Sequence, residues 1–157
     1  YLFNKNFFIV PNGISIKKSI ITSKNKYSNS LKLICVGIVI PRKNFHLIIE
    51  ALSFLKDKKI ILDIVGPLKD KVYFSYCQEI IKKNKLMNIR FLGSMPKNKI
   101  MDIYKEYDLF CMPSVVEGVS MALIEAASEG LPSLVTKGVG NYQEILESKS
   151  GIPFSDE

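Results

Sequence analysis

From Leu31 onward, short apolar runs alternate with longer stretches in which apolar residues recur every three or four positions. The first run, LKLICVG (Leu31 to Gly37), reads as a buried strand. Asn44 to Lys56 reads as an amphipathic helix capped by Asn44, with Phe45, Ile48, Ile49, Leu52 and Leu55 facing inward. KIILDIVG (Lys59 to Gly66) is the second strand, and a helix from about Asp70 to Lys85 follows. NIRFLG (Asn88 to Gly93) is the third strand, Lys99 to Tyr107 a helix, and DLFCMPS (Asp108 to Ser114) the fourth strand. A helix after Ser120, a fifth strand at LPSLVT (Leu131 to Thr136), a short helix from Asn141 to Ser148 and a sixth strand at GIPF (Gly151 to Phe154) complete the series.

Six short strands alternating with helices predict an α/β fold, a doubly wound, Rossmann-like parallel sheet with helices on both faces, because parallel strands need crossover connections. With strand order 3-2-1-4-5-6, a ligand sits outside the carboxyl ends of strands one and four, where the order reverses. Strand one runs into IVIPRKN, with Arg42 and Lys43, and strand four runs into PSVVEGVS, with Glu117. Two basic side chains and a helix N-terminus then converge on one crevice, a combination suited to diphosphate.

The stretch PSVVEGVSMALIEAASEGLP (Pro113 to Pro132) carries the most chemistry. Ser120 as N-cap starts a helix at Met121, running through Leu123, Ile124 and Ala127 until Gly130 and Pro132 end it. Glu125 lies about 7.5 Å of helix rise along it, with a side chain leaning back toward the N-terminus. It can reach a ribose whose phosphates sit at the helix end, while Glu117 grips another part of the same extended ligand. From spacing alone the plainer account stays open: Glu117 favours the helix dipole and Glu125 belongs to a solvated face.

Composition sets the frame around this site. At 157 residues and 47% hydrophobic content the chain has one domain's worth of core-forming sequence. It opens on Tyr1, and YLFNKNFFIVPNGI reads as the tail of something longer, although Tyr1 to Val10 also suits an ordinary first strand. Asn12-Gly13 is a turn signal, and Ser15 to Ser30 reads as a loop or linker. The domain assignment is therefore residues 1–30 as the end of an interdomain segment and 31–157 as the folded domain.

Charge is unevenly divided. Residues 1–100 hold 19 Lys and Arg against 5 acids, net +14, whereas residues 101–157 hold 3 against 10, net −7. The lysines are scattered and not interleaved with stacking aromatics, so a solvated basic surface or contact with an anionic membrane is expected in preference to nucleic acid. Cys35, Cys77 and Cys111 have no metal or redox spacing; Cys35 and Cys111 fall inside apolar strand-like runs and are expected in the core, and a reducing cytoplasm is the expected compartment. His46, the single histidine, is read as structural or surface. The chain contains neither GxGxxG after strand one nor the phosphate-binding loop of nucleotide hydrolases, which argues against both a dehydrogenase and an NTPase.

Several ordered motifs together resemble the C-terminal, donor-binding domain of retaining glycosyltransferases with two Rossmann-like domains (GT-B fold, glycosyl transferases group 1). They are VPNGI (Val10 to Ile14), VGIVIPRKN (Val36 to Asn44), DIVGP (Asp63 to Pro67), IRFLGSM (Ile89 to Met95), the Glu117 and Glu125 pair, EAASEGLPSLVT (Glu125 to Thr136) and GNYQEI (Gly140 to Ile145). The resemblance implies transfer of a sugar from a UDP- or GDP-sugar to a glycan or lipid-linked acceptor, with retention and without an essential metal or other cofactor. It implies that Lys43 contacts the donor phosphates, Glu117 the transferred sugar and Glu125 the ribose. Gly118, Val119 and Ser120 supply backbone groups, Ser94 and Met95 meet the nucleotide base, and Gly37, Arg42 and Met121 complete the donor-binding set.

An acceptor-binding domain, N-terminal to this chain, is implied as partner, and the isolated fragment is expected to be inactive. The protein is expected in the cytoplasm, peripheral on the membrane. Two departures from the family pattern stand out. Ile38 replaces an arginine common after the glycine of strand one, so that one phosphate contact is missing or supplied by Arg42, and Ser120 and Val139 occupy positions where relatives often have glycine. The Ile38 change keeps a second reading in view, a catalytically degenerate module that binds a nucleotide or partner without turnover.

Overall fold

In the computed structural model, residues 30–55 and 58–154 are described. The expectations for Tyr1 to Val10, for the turn at Asn12-Gly13 and for most of the linker lie outside these residues. Six parallel strands form one sheet in the order β3-β2-β1-β4-β5-β6. The strands are β1 (Leu31–Val36), β2 (Ile60–Val65), β3 (Ile89–Gly93), β4 (Leu109–Met112), β5 (Ser133–Val135) and β6 (Gly151–Pro153). Between them lie α1 (Phe45–Ser53), α2 (Lys71–Asn84), α3 (Lys97–Ile103), α4 (Met121–Ser128) and α5 (Tyr142–Glu147). The predicted class and strand order are those observed, and the reversal falls between β1 and β4.

Alternate residues of each strand feed two apolar layers. On one face Leu33, Cys35, Leu62, Ile64 and Cys111 pack beneath α1 and α2, which contribute Phe45, Ile48, Ile49, Tyr73, Cys77 and Ile80. On the other, Ile34, Val65, Phe110, Met112 and Val135 meet Tyr104, Leu123, Ala126 and Ile145. Both faces are therefore covered, which is why the strands read as continuous apolar runs. All three cysteines are buried free thiols, and burial pushes the Cys35 and Cys77 thiols up from their ordinary range.

Asp63 on β2 is 1% exposed yet carries a carboxylate into the second layer. Arg90 on β3 donates to both its oxygens, at 2.7 and 2.6 Å, and the Tyr107 hydroxyl donates to Oδ2 at 2.6 Å. Three charge-assisted bonds offset the desolvation that an unpartnered carboxylate would suffer there. The Asp63 carboxylate in turn raises the pKa of Arg90.

Several local expectations are corrected. α1 ends at Ser53, so Leu55 falls in the turn beyond it and is 45% exposed, not inward. Asn44 makes no side-chain cap, because it sits at φ 56 as the left-handed end of a 3-10 turn, Pro41–Lys43, and its N–H bonds to the Pro41 carbonyl. The third helix starts at Lys97, two residues early, and tightens into a 3-10 turn at Tyr104–Glu106. The fourth helix begins at Met121 as expected, burying Leu123 and Ala126 and leaving Met121, Ile124 and Ala127 half-buried. His46 is half-buried and structural: the Tyr73 hydroxyl lies 3.0 Å from its Nδ1 and accepts from its backbone N–H.

Candidate functional site

The carboxyl ends of β1 and β4, neighbours at the order reversal, carry the charged residues. After β1 the chain turns at Pro41–Lys43, and this sends the Lys43 side chain back over Gly37. A Cβ at position 37 would stand 3.2 Å from Lys43 Cε, so the glycine leaves the lysine its path. Lys43 Nζ donates to Glu117 Oε2 at 2.6 Å, and the two side chains are only 11% and 17% exposed. An ammonium has three donors and a carboxylate two oxygens, so this pair keeps two N–H groups and Glu117 Oε1 for a ligand.

The loop from Pro113 to Ser120 is held by segments far away in sequence. Val115 N–H bonds to the Arg42 carbonyl (3.0 Å), tying it to the Lys43 turn. On its other side Glu117 N–H donates to Gly138 O (2.8 Å) and Gly140 N–H to Glu117 O (2.9 Å), a short parallel bridge between Glu117 and Val139. That approach requires the glycine: a Cβ at Gly138 would lie 1.9 Å from Val115 O. Thr136 Oγ1 donates to Ser114 O at 2.6 Å, and the buried Asn141 accepts the Ser120 N–H at 3.2 Å.

The Ser120 cap is as predicted, its hydroxyl accepting from Leu123 N–H at 3.4 Å. On either side of it the amides of Gly118, Val119 and Met121 make no hydrogen bond to the described residues. Open N–H groups, a helix dipole and Lys43 thus gather at one point, which suits an anion. Gly118 and Val119 are exposed, as a ligand-facing loop requires, and Met121 is half-buried on the first helical turn.

Glu125 on α4 points to a second cation: Lys97 at the start of α3 bridges to its Oε1 at 2.6 Å. This pairing sets the Ser94 and Met95 segment beside α4, with Ser94 exposed and Met95 packed against the second apolar layer. Arg42 is brought to the crevice by its backbone, but its exposed side chain has no hydrogen-bond or ion-pair partner among the described residues. Lys97, Gly138 and Asn141 were not singled out from sequence. The Gly138-Val139-Gly140-Asn141 run was a usable signal, since glycines two apart before a helix mark close backbone approach; nothing in the sequence signalled Lys97.

A doubly wound domain whose ion pair and open helix amides lie at the switch point belongs to the class of α/β proteins that bind ligands at the carboxyl edge of the sheet. Comparison with known proteins narrows the class. The profile of the family Glycosyl transferases group 1 matches residues 16–155, and the chain belongs to that family. An Escherichia coli protein, UDP-Gal:alpha-D-GlcNAc-diphosphoundecaprenol alpha-1,3-galactosyltransferase, is 29% identical over 149 residues, covering 85% of this chain and 37% of its own length.

Among solved structures, HepE of Anabaena in complex with UDP and glucose superposes with TM-score 0.73 at 20% identity, over 81% of this chain and 35% of HepE. The C-terminal domain of the group 1 family protein LpcC from Francisella tularensis superposes with TM-score 0.70 at 20% identity, over 80% of this chain and 67% of that one. These likenesses establish a GT-B-type Rossmann-like domain. The chain spans little more than a third of the length of the E. coli relative and of HepE.

Proposed function

We propose that this chain is the donor-binding part of a glycosyltransferase that moves a sugar from a nucleotide-diphosphate sugar to a glycan or lipid-linked acceptor with retention of configuration. The observation that carries this reading is the shielded Lys43–Glu117 pair beside the open amides of Gly118, Val119 and Met121. As the glycosidic bond breaks, negative charge grows on the departing diphosphate. The two free N–H groups of Lys43 and the α4 N-terminus lie where they stabilise it, without an essential metal. Arg42, on the same turn, supplies a further cation in place of the arginine that Ile38 replaces.

Glu117, bonded to Lys43 through Oε2, offers Oε1 to a hydroxyl of the transferred sugar and so positions it. It is not assigned as a nucleophile, because the pair neutralises it. Glu125 takes the ribose hydroxyls, with Oε2 free and Oε1 shared with Lys97. Ser94 and Met95 border the base, and Gly37 and Ser120 shape the phosphate site. A uridine donor is favoured by the E. coli relative, whose name specifies UDP-Gal, and by HepE, crystallised with UDP. Acceptor binding falls to a second domain preceding this chain, and the enzyme works in the cytoplasm at the membrane face.

Titration of the full-length protein with UDP- and GDP-sugars tests the assignment. Lys43→Ala, Glu117→Ala and Glu125→Ala should each weaken donor binding or turnover; donor binding unchanged in all three removes the site. Product formation by the full-length protein that disappears in Glu117→Ala excludes a degenerate binding module.

A further inference from the structure

We propose that the end of the sheet opposite the candidate site is a contact surface for bilayers bearing anionic headgroups. The amino ends of β1, β2 and β3 and the carboxyl ends of α1 and α2 meet there, at a cleft of about 290 Å³ floored by Leu52, Ile60, Leu86 and Ile89. Phe54, just past α1, is 87% exposed and Met87, just before β3, is 88% exposed; Leu55 and Leu31 on the same end are 45% and 44% exposed. Large side chains this open to water on a single end form a patch that folding alone does not explain.

Lysines ring the patch. Lys58 and Lys59 stand on the loop into β2, and Lys82, Lys83 and Lys85 at the end of α2; all five are exposed, and none pairs with an acid among the described residues. The α2 dipole favours Lys82 and Lys83 at its carboxyl end, but it gives no reason for Lys58 and Lys59 on a separate loop. Clustered lysines around protruding aliphatic and aromatic groups match an anionic interface, where ammonium groups meet phosphates and apolar side chains enter the acyl boundary; the acid Asp108, also at this end, accepts the Lys32 backbone N–H. A nucleic acid would leave Met87 and Leu55 without a role. A protein partner would have to bury a surface with five like charges, which interface cores avoid. The strands separate this end from the crevice by about 20 Å, so lipid contact leaves the donor site open.

The experiment is co-sedimentation of the full-length protein with vesicles of phosphatidylcholine alone and with about a third phosphatidylglycerol. Binding is expected only to the anionic vesicles and should fall as salt rises. The double variant Lys58→Glu, Lys85→Glu should lose at least about tenfold in partitioning. Phe54→Ser with Met87→Ser should lose several-fold, and donor binding should stay at the wild-type level in both, which also reports that they are folded. Equal binding to neutral vesicles, or anionic binding unchanged in both variants, overturns the proposal. So does a full-length protein that ignores vesicles but forms a dimer abolished by Phe54→Ser, since the patch is then an interface between copies.

Discussion

At the scale of single residues, the site depends on how Lys43 is aimed. Its ammonium reaches Glu117 only because the Pro41–Lys43 turn sends the chain back and Gly37 leaves room above β1. Lys43→Ala removes the cation closest to the proposed diphosphate, and turnover of the full-length protein should drop about 100-fold or more in a nucleotide-release assay, with a smaller change in Tm. Gly37→Ala tests the path and not the charge. Its methyl would stand 3.2 Å from Lys43 Cε, so the lysine must shift, and donor affinity should fall by about tenfold while the charge count is unchanged. Asn141→Ala removes the acceptor that the Ser120 amide has among the described residues and should weaken donor binding by a few-fold, measured by titration with UDP, through a looser helix start.

At the scale of elements, two devices hold the sheet and its loops, and they separate stability from function. Arg90→Ala leaves the buried Asp63 carboxylate with Tyr107 alone, and because the Arg90 side chain is largely exposed the loss of stability should be about 1–3 kcal/mol in denaturant titration, with donor affinity per folded molecule unchanged. Gly138→Ala should do the converse damage. A methyl there would run into Val115 O, displacing the loop that carries Glu117, so donor binding should be lost even in the fraction that remains folded. Burial also pushes the Tyr73, Tyr104 and Tyr107 hydroxyls up, which keeps them protonated hydrogen-bonding groups in place of anions.

At the scale of the whole molecule, both faces of the sheet are covered and every cysteine is inside. A thiol reagent should therefore modify none of Cys35, Cys77 and Cys111 in the native protein and all three after denaturation. The likeness to the separately crystallised LpcC domain covers 80% of this chain, but the E. coli relative and HepE are almost three times as long as the matched region. The domain alone is expected to bind UDP weakly and to transfer nothing, an outcome read by comparing it with the full-length protein in one product assay.

Much of this architecture was written locally. Strand runs such as LKLICVG and KIILDIVG are apolar throughout because each is covered on both sides, and their alternation with helices forced parallel crossovers. The Ser120 cap and the place of Glu117 at the switch point were legible for the same reason, being properties of neighbouring residues and strand order. Leu55 and Asn44 show where such reading stops, since the helix ended earlier, and asparagine suits a left-handed turn end as well as a cap, so its type does not choose between them.

What only the tertiary structure decided are the long-range pairings. Lys43 meets Glu117 across 74 positions, Lys97 meets Glu125, and Asp63 gathers Arg90 and Tyr107 from two other elements. Periodicity tells which face a residue occupies but not which distant side chain faces it, because that depends on loop paths, close glycine contacts and rotamers fixed by packing. The sequence by itself determined the α/β order and the reversal point at which β1 and β4 adjoin; folding decided which charges face each other there, and collected the lysines and open apolar side chains at the far end of the sheet.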